Sequence, residues 1–518
     1  MSGNEPVTTP ALAPGPSLAG RVAVAIAMTV GFYALALGVA ALLVGFPVWA
    51  ILTDGVPMNI WLAIFMIATA IAILRSIAPR RRRFEAPGVR VTENEQPRLV
   101  AAVSSVAGAA GERMPDEIYL DLDVNAAVTE YGGIFGRGAK RVLILGLPLL
   151  ELLTVPQMRS VVAHEFGHYA GGDTRYGPWT YRTREAIERT VAELRGDERW
   201  SRRAIGLPFL WYGLGFLRVT NAISRRQEFA ADALAVQVAG REAHVATLRL
   251  IHAYGSLFGA YWSDEVLPAL SSGLRPPISE GFARFRSAEP MSAAADGQLE
   301  AALGEEKSGP YDSHPTLAQR LAFVEALPAG AAAGEGERAI ALVEAVDALE
   351  RDLLAHLAGE EVAAELEHMP WAEAGQRVWL AGHRRSVEEH RGVLGETTLY
   401  EAGTFMSSVE EIGSRLEGEY SDLEEGEGAA HALRAGVAVA VEGQGFSVST
   451  GPGLPLAFER GAARFEPFAA LAEVHDGSLS PDDWRDRCRE LGLEDLPLAA
   501  KSSSTSPPES AREASPTA

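Results

Sequence analysis

Between Val22 and Leu52 the chain carries no charged residue, and after a short turn, Thr53-Asp-Gly-Val-Pro57, a second uncharged run extends from Met58 to Leu74. About 20 apolar helical residues cross a bilayer core, so each run meets or approaches that length. A cleavable signal peptide has a shorter apolar core and no second span behind it. The two runs therefore read as a transmembrane helical hairpin over residues 21–75, in preference to a leader or the buried hairpin of a soluble core. Arg75 and Arg80 to Arg83 follow the second run, while the turn carries only Asp54. Basic residues collect on the cytoplasmic side of membrane helices. That bias places the turn outside and both the N-terminus and the bulk of the chain in the cytoplasm, as expected of a multi-pass protein of the inner cell membrane.

Composition narrows the remaining choices. A chain of 518 residues that is 47% hydrophobic can bury a large core in more than one domain. Its 68 acidic residues outnumber 46 basic ones, giving a net charge of -22, which argues against nucleic acid as a partner. Cys488 is the single cysteine. An intramolecular disulfide and a cysteine-ligated metal site are thereby excluded, and a reducing compartment is consistent. Any metal in this protein is held by histidine and carboxylate.

Such residues are concentrated in Val161-Val-Ala-His-Glu-Phe-Gly-His-Tyr-Ala170, where His164, Glu165 and His168 read H-E-x-x-H. Thr154-Val-Pro-Gln157 supplies a cap, a proline in the first turn and a capping-box glutamine, and Gly171-Gly172 supplies a stop. Apolar residues at 155, 158, 161, 162 and 166 mark the helix as buried. Residues four apart share a helix face, so His164 and His168 can close on one Zn2+ while Glu165 stands beside it. A hydrolytic zinc site takes three protein ligands and keeps one position open. The third ligand must therefore come from elsewhere. Further along, the helical stretch from Asn221 to Ala235 places Glu228 and Asp232 on one alanine-lined face. Glu228 would complete the site if it points inward, and Asp232 would accept the second ring N–H of a ligand histidine. A solvated face is the ordinary alternative.

Ahead of the histidines, Gln96 to Gly111 reads as a helix, and Glu117 to Asp121 and Arg141 to Leu145 read as strands. Val124-Asn-Ala-Ala-Val128 lies between these strands, followed by turns at Gly132-Gly133 and Gly136-Arg-Gly138. A small sheet here is either a structural hairpin or an edge on which an extended peptide can lie. After a charged stretch to about Arg203, the apolar run Ala204 to Leu217 is interrupted by Pro208, and a core or interfacial helix is expected in place of a third span.

Together, His164-Glu165-Phe-Gly-His168 with Gly172-Asp173, Glu228-Phe-Ala-Ala-Asp232, and Ser313-His314-Pro315 with Arg320 resemble the successive motifs of the HtpX and CAAX prenyl endopeptidase family of membrane-associated zinc metallopeptidases. The resemblance covers about residues 90–325. It implies one zinc ion per chain on His164, His168 and Glu228, with Glu165 as catalytic base and Asp232 supporting a ligand. It also implies Asn125 and Ala126 on a substrate-facing strand. His314 would help the transition state or order the site. The better-known members carry further spans between the metal helix and the third ligand, where this chain has only the 204–217 run. That departure favours general proteolysis of extended or unfolded protein segments, as in membrane-protein quality control, over prenyl-peptide processing.

The expected architecture is α+β and mainly helical. It comprises a disordered tail (1–20), the hairpin (21–75), a zincin-like metallopeptidase domain with a small sheet (85–328), an acidic α+β domain of open role (337–500) and a Ser/Pro-rich tail (501–518). In the C-terminal part, a Gly/Ala linker at 329–336 precedes helices to about Leu423, two or three strands between Gly436 and Phe468, and a helix from Pro481 to Leu491. His356, His368, His383, His390, His431 and His475 show no ligand spacing and read as solvated surface. Expected partners are protein or peptide substrates and the bilayer, with the oligomeric state left open. Two alternatives stand beside the protease: a membrane-tethered scaffold with a structural zinc, and a processing enzyme with one target.

Overall fold

The computed structural model describes residues 18–53, 59–78, 84–132, 139–170, 183, 186–190, 200–305, 309, 312, 314–330, 336–408 and 427–499. Several expected features fall outside these residues: the tails before 18 and after 499, Asp54 and Arg80–Arg83, the 133–138 and 171–173 turns, most of the charged stretch before residue 200, Ser313, and much of the 329–336 linker. The chain divides into two compact units, residues 1–258 with 294–363, and residues 259–293 with 364–518.

In the first unit, α1 (Leu18–Leu52) and α2 (Ile60–Ile77) are both long and apolar enough to cross a membrane, and they pack side by side. Asn59 caps α2 by accepting from the Trp61 amide at 2.8 Å. Large apolar residues on their outer faces, such as Val30, Leu42, Ile60 and Trp61, stay exposed on the protein, as an apolar solvent requires.

The sheet that follows has the order β1-β2-β4-β3, with β1 (Val89–Val91), β2 (Glu117–Asp121), β3 (Ala126–Tyr131) and β4 (Lys140–Gly146). β2 and β4 run parallel, and β1 and β3 pair antiparallel on the two outer sides. Because β2 and β4 are inner strands, their Leu120, Leu143 and Leu145 are fully buried. They meet Leu99, Val103 and Val106 of α3 (Pro97–Ala110) and Met158, Val162 and Phe166 of α5 (Val155–Ala170), with α4 (Leu147–Leu152) between β4 and α5. The strand and helix positions read from the sequence are thus recovered within a residue or two, and Gly111 closes α3 in the left-handed conformation. The start of α5 is held as its capping box implies, with the Thr154 amide donating to Gln157 Oε1 at 2.8 Å. Glu337 adds a backbone bond to the Val155 amide at 2.9 Å.

The largest departure concerns Pro208. It does not interrupt the helix: α6 runs unbroken for 40 residues, Trp200–Ala239. A proline inside a helix forfeits one backbone bond and crowds the preceding turn, a cost of about 3 kcal/mol. Tertiary packing offsets it. Phe209 and Phe216 are fully buried against Phe32, Ala36, Ile73 and Ile77 of the hairpin, and Tyr212 Oη donates to the Met28 carbonyl at 2.6 Å. On the opposite side Leu207 and Trp211 are exposed, at 50% and 70%. The apolar run and the Glu228 segment are therefore two halves of one helix.

The second half of α6 lies against α5 at very short range. A Cβ placed on Gly167 would stand 2.6 Å from Ala231 Cα, so only glycine fits there. The alanines around Glu228 and Asp232 serve this approach. α7 (Arg241–Tyr254) then turns back at Gly240, whose φ is +93°, and α8 (Leu317–Glu325) starts from a Thr316/Gln319 capping box.

The second unit builds its core on α9 (Glu427–Gly443), with Leu433, Val437 and Val441 buried beside Phe446, Phe458 and Trp484. Its strands are an antiparallel meander of β5 (Ser447–Ser449), β6 (Ala457–Arg460) and β7 (Ala463–Phe465), together with a short parallel pair, Leu274–Arg275 with Glu367–His368. The strand pattern expected from Gly436 thus begins later: Gly436 to Gly443 stays helical because its alternating valines and alanines also satisfy a helix buried on several sides. Pro481–Glu490 is helical as expected, with a Ser480/Asp483 capping box.

The α5–α6 contact yields a direct expectation. Gly167→Ala should lower the unfolding free energy of the protein by about 1–3 kcal/mol through overpacking. Chemical denaturation in detergent reads this, and an unchanged midpoint would mean that the helices separate without cost.

Candidate metal centre

His164 and His168 lie one turn apart on α5, their ring centroids 4.9 Å apart, and Glu228 and Asp232 lie one turn apart on the facing stretch of α6. The close Gly167–Ala231 packing brings the four together. Glu228 Oε2 stands 3.5 Å from His164 Nε2, and Glu228 Oε1 stands 3.8 Å from His168 Nε2. Donor atoms of His164, His168 and Glu228 all lie within 4.8 Å of one another. Two imidazoles and a carboxylate at this spacing suit zinc, which prefers nitrogen and oxygen donors in a tetrahedral set.

Asp232 is fully buried and lies behind His164. Its Oδ1 faces His164 Nδ1 at 3.1 Å and His244 Nε2 at 3.0 Å, and Arg320 grips both oxygens, through Nη2 at 2.5 Å and Nε at 3.0 Å. With Nε2 of His164 turned toward Glu228, its Nδ1 proton donates to Asp232 and the ring orientation is fixed. His164, Asp232 and His244 also cluster closely enough to suggest a second ion. The Arg320 guanidinium already supplies the cation there, so this group is a hydrogen-bond hub.

His244 and Ser160 were not singled out from the sequence. His244 is buried on α7, and its Nδ1 lies 2.7 Å from Ser160 Oγ. An ionised Asp232 accepts from His244 Nε2–H, which leaves Nδ1 to accept from the Ser160 hydroxyl. The one sequence signal was that Ser160 precedes His164 by a helical turn and shares its face. A lone histidine beyond a glycine turn gave no warning of its partner.

His314 is exposed, and its Nδ1 lies 2.8 Å from Glu228 Oε1. It meets the carboxylate and does not join the cluster of donor atoms. Arg320 Nη1 approaches the other Glu228 oxygen at 3.6 Å. Of the six further histidines expected at the surface, His390 is instead buried, its Nδ1 2.7 Å from the Ser386 carbonyl, and His383 is half-buried against the Phe468 ring.

Asn125 and Ala126 lead into β3, whose outer edge no described strand covers. The Gly146 amide donates to the Asn125 carbonyl at 2.9 Å, making these two a hydrogen-bonded pair. In an antiparallel ladder the alternate residues, 126, 128 and 130, then point their backbone groups away from β4. The Val128 amide so directed donates to the Glu165 carboxylate. At its far end the strand is pinned by Tyr131, whose hydroxyl donates to the buried Glu117 carboxylate at 2.9 Å and whose ring stacks on Phe84.

The charges interact strongly. Burial pushes the Glu165 carboxyl up to about 7, against the pull of His164. Burial also lowers His168 to about 4, helped by the neighbouring His164. For His164 burial acts downward as well, yet hydrogen bonds to Asp232 and Glu228 outweigh it and raise the ring to about 9. Burial opposes ionisation of Glu228, but hydrogen bonds from His164 and His314 hold it well below the usual carboxylate range. Without a metal, a proton on His164 balances this negative pocket; a bound divalent cation takes over that task.

Residues 93–327 match the sequence profile of Peptidase family M48. Protease HtpX of Xanthomonas campestris pv. campestris (strain B100) is 28% identical over 216 residues, 36% of this chain and 71% of that protein. Protease HtpX of Glaesserella parasuis serovar 5 (strain SH0165) is 29% identical over 170 residues, 29% of this chain and 57% of that protein. No solved structure matches.

The hub makes its own prediction. His244→Ala should weaken zinc binding by about 10- to 100-fold, since it loosens the carboxylate that orients His164. Competition against a zinc-chelating dye measures this, and an unchanged affinity would detach the His244–Ser160 pair from the centre.

Proposed function

Taking residues 93–327 as an HtpX/M48-like metallopeptidase, we propose that this protein is a membrane-anchored zinc endopeptidase that cleaves extended or locally unfolded protein segments. The observation that carries the reading is the gathering of His164, His168 and Glu228 donors within 4.8 Å, beside a Glu165 carboxylate bonded to the Val128 amide on an edge that no described strand covers. These three residues would hold one zinc ion. When bound, zinc supplies a Lewis acid that polarises a peptide carbonyl and makes water a better nucleophile near neutral pH.

The chain's own residues do the rest. Glu165 accepts the proton of the attacking water and returns it to the departing amine, as a general base and then a general acid. Its high affinity for a proton in the buried site suits that shuttle. Asp232, itself held by Arg320 and His244, orients His164, and His314 orients Glu228. A substrate in extended form pairs with the outward backbone groups of Ala126 and its strand neighbours, which aligns the scissile bond past Glu165.

Two apolar helices of spanning length support anchoring in the inner membrane, and the arginines after the second support a cytoplasmic catalytic face. Pairing through backbone groups is blind to side chains, which fits damaged or unassembled membrane proteins as substrates better than one dedicated target. A purely structural zinc site has no use for Glu165, and the hydrogen bond from His314 to Glu228 argues against His314 as a fourth ligand.

The test is degradation of an unfolded model protein by zinc-loaded, detergent-purified wild type and Glu165→Gln. General-base loss should reduce cleavage by about 10²- to 10⁴-fold while bound zinc stays constant. Chelation should silence the wild type, and zinc should restore it. Undiminished cleavage by Glu165→Gln would overturn the mechanism.

A further inference from the structure

The second unit contains a cavity of about 330 Å³ that plays no part in the metal centre. Its walls come from separate elements: Asp264 and Glu265 on one side, Trp379 and His383 on another, Arg434 on α9, Leu456 just before β6, and Phe468 on the helix Pro467–His475. π-Helical turns are rare and gather at functional sites, because the wider turn moves side chains out of ordinary register. Both π-helical segments among the described residues, Trp262–Val266 and Gly375–Leu380, supply walls of this one cavity: the first carries Asp264 and Glu265, the second Trp379.

The Glu265 carboxylate has unmet capacity. Glu265 Oε1 accepts the Gly453 amide at 2.9 Å, and among the described residues no cation pairs with this carboxylate. Burial pushes it up to about 7. The loop that delivers the amide is rigidly seated: Gly453 has φ +76°, and a Cβ there would stand 2.8 Å from the Phe285 carbonyl oxygen. His383 lies edge-on to the Phe468 ring at 5.3 Å, and burial lowers it to about 4, leaving a neutral imidazole. The cavity thus offers carboxylates on one wall, a guanidinium on another, and aromatic and aliphatic surface between them. Leu454, 46% exposed at the rim, extends the apolar part.

We propose that this cavity is a second binding site, for an apolar amino acid or dipeptide in its zwitterionic form. The ligand's ammonium group meets Glu265 and Asp264 under the Trp379 ring, its carboxylate meets Arg434, and its side chain lies against Leu456 and Phe468. An endopeptidase releases longer fragments, and their complete breakdown by further peptidases yields such molecules, so the site would sense the end products of proteolysis; that link rests on the proposed function, whereas the binding itself does not.

Calorimetric titration of the full-length, zinc-stripped protein in detergent with L-leucyl-L-leucine tests the assignment apart from the metal centre. One saturable site per chain is expected. The same peptide with an acetylated amine or an amidated carboxylate should bind roughly tenfold more weakly or worse, a comparison made on unaltered protein. Glu265→Gln and Arg434→Gln, each checked for cooperative unfolding, should show the same loss. Absence of saturable heat, or affinity indifferent to the blocked termini or to these substitutions, would overturn the proposal.

Discussion

A carboxylate with no exposure to water has to be compensated or it will not stay charged, and Asp232 is such a carboxylate. Four elements converge to compensate it: His164 from α5, His244 from α7, Arg320 from α8, and α6, which carries Asp232 itself. Each partner is also tied to something else. His164 faces Glu228, His244 is bonded to Ser160, and Arg320 approaches Glu228 as well. Breaking such a buried network by removing one partner costs far more than its net contribution to stability. The arrangement thus converts an electrostatic liability into fixed geometry at His164 and Glu228, the two groups that face the proposed metal position.

The same logic explains what was legible in the sequence. The H-E-x-x-H spacing and the Glu228/Asp232 spacing are local, set by the helical repeat, and they survive unchanged in the fold. Strands β2 and β4 were also plain, because strands buried on both sides are continuous runs of apolar residues. What escaped was non-local. His244 acquires meaning only from Asp232, on the other side of the Gly240 turn, and from Ser160, 84 residues earlier, and no spacing rule joins the three. Pro208 read as an interruption because its local cost was visible, while the hairpin contacts of Phe209, Tyr212 and Phe216 that offset it were not. In the C-terminal unit, Gly436 to Gly443 alternates as a strand would, and only packing against several partners shows that it is a helix.

Edge strands ordinarily endanger a protein, since unpaired backbone groups recruit other chains. Here β3 is short, it is pinned by Tyr131 to a buried Glu117, and the outward amide of Val128 is occupied by Glu165. The edge is protected by the residue that would use it. On the proposed function, a peptide arriving there would compete for the Val128 amide and free the Glu165 carboxylate, linking substrate pairing to the base through one hydrogen bond.

The continuity of α6 also has a geometric meaning. Phe216 is the last residue of that helix buried against the apolar hairpin, and Glu228 lies twelve residues further on. At 1.5 Å per residue that separates them by about 18 Å, a length an extended peptide covers in five or six residues at about 3.3–3.6 Å each. One helix thus fixes the distance between the residues packed on the apolar hairpin and Glu228. On the proposed function, that fixed distance would favour peptide bonds a set way from the membrane, whatever their sequence.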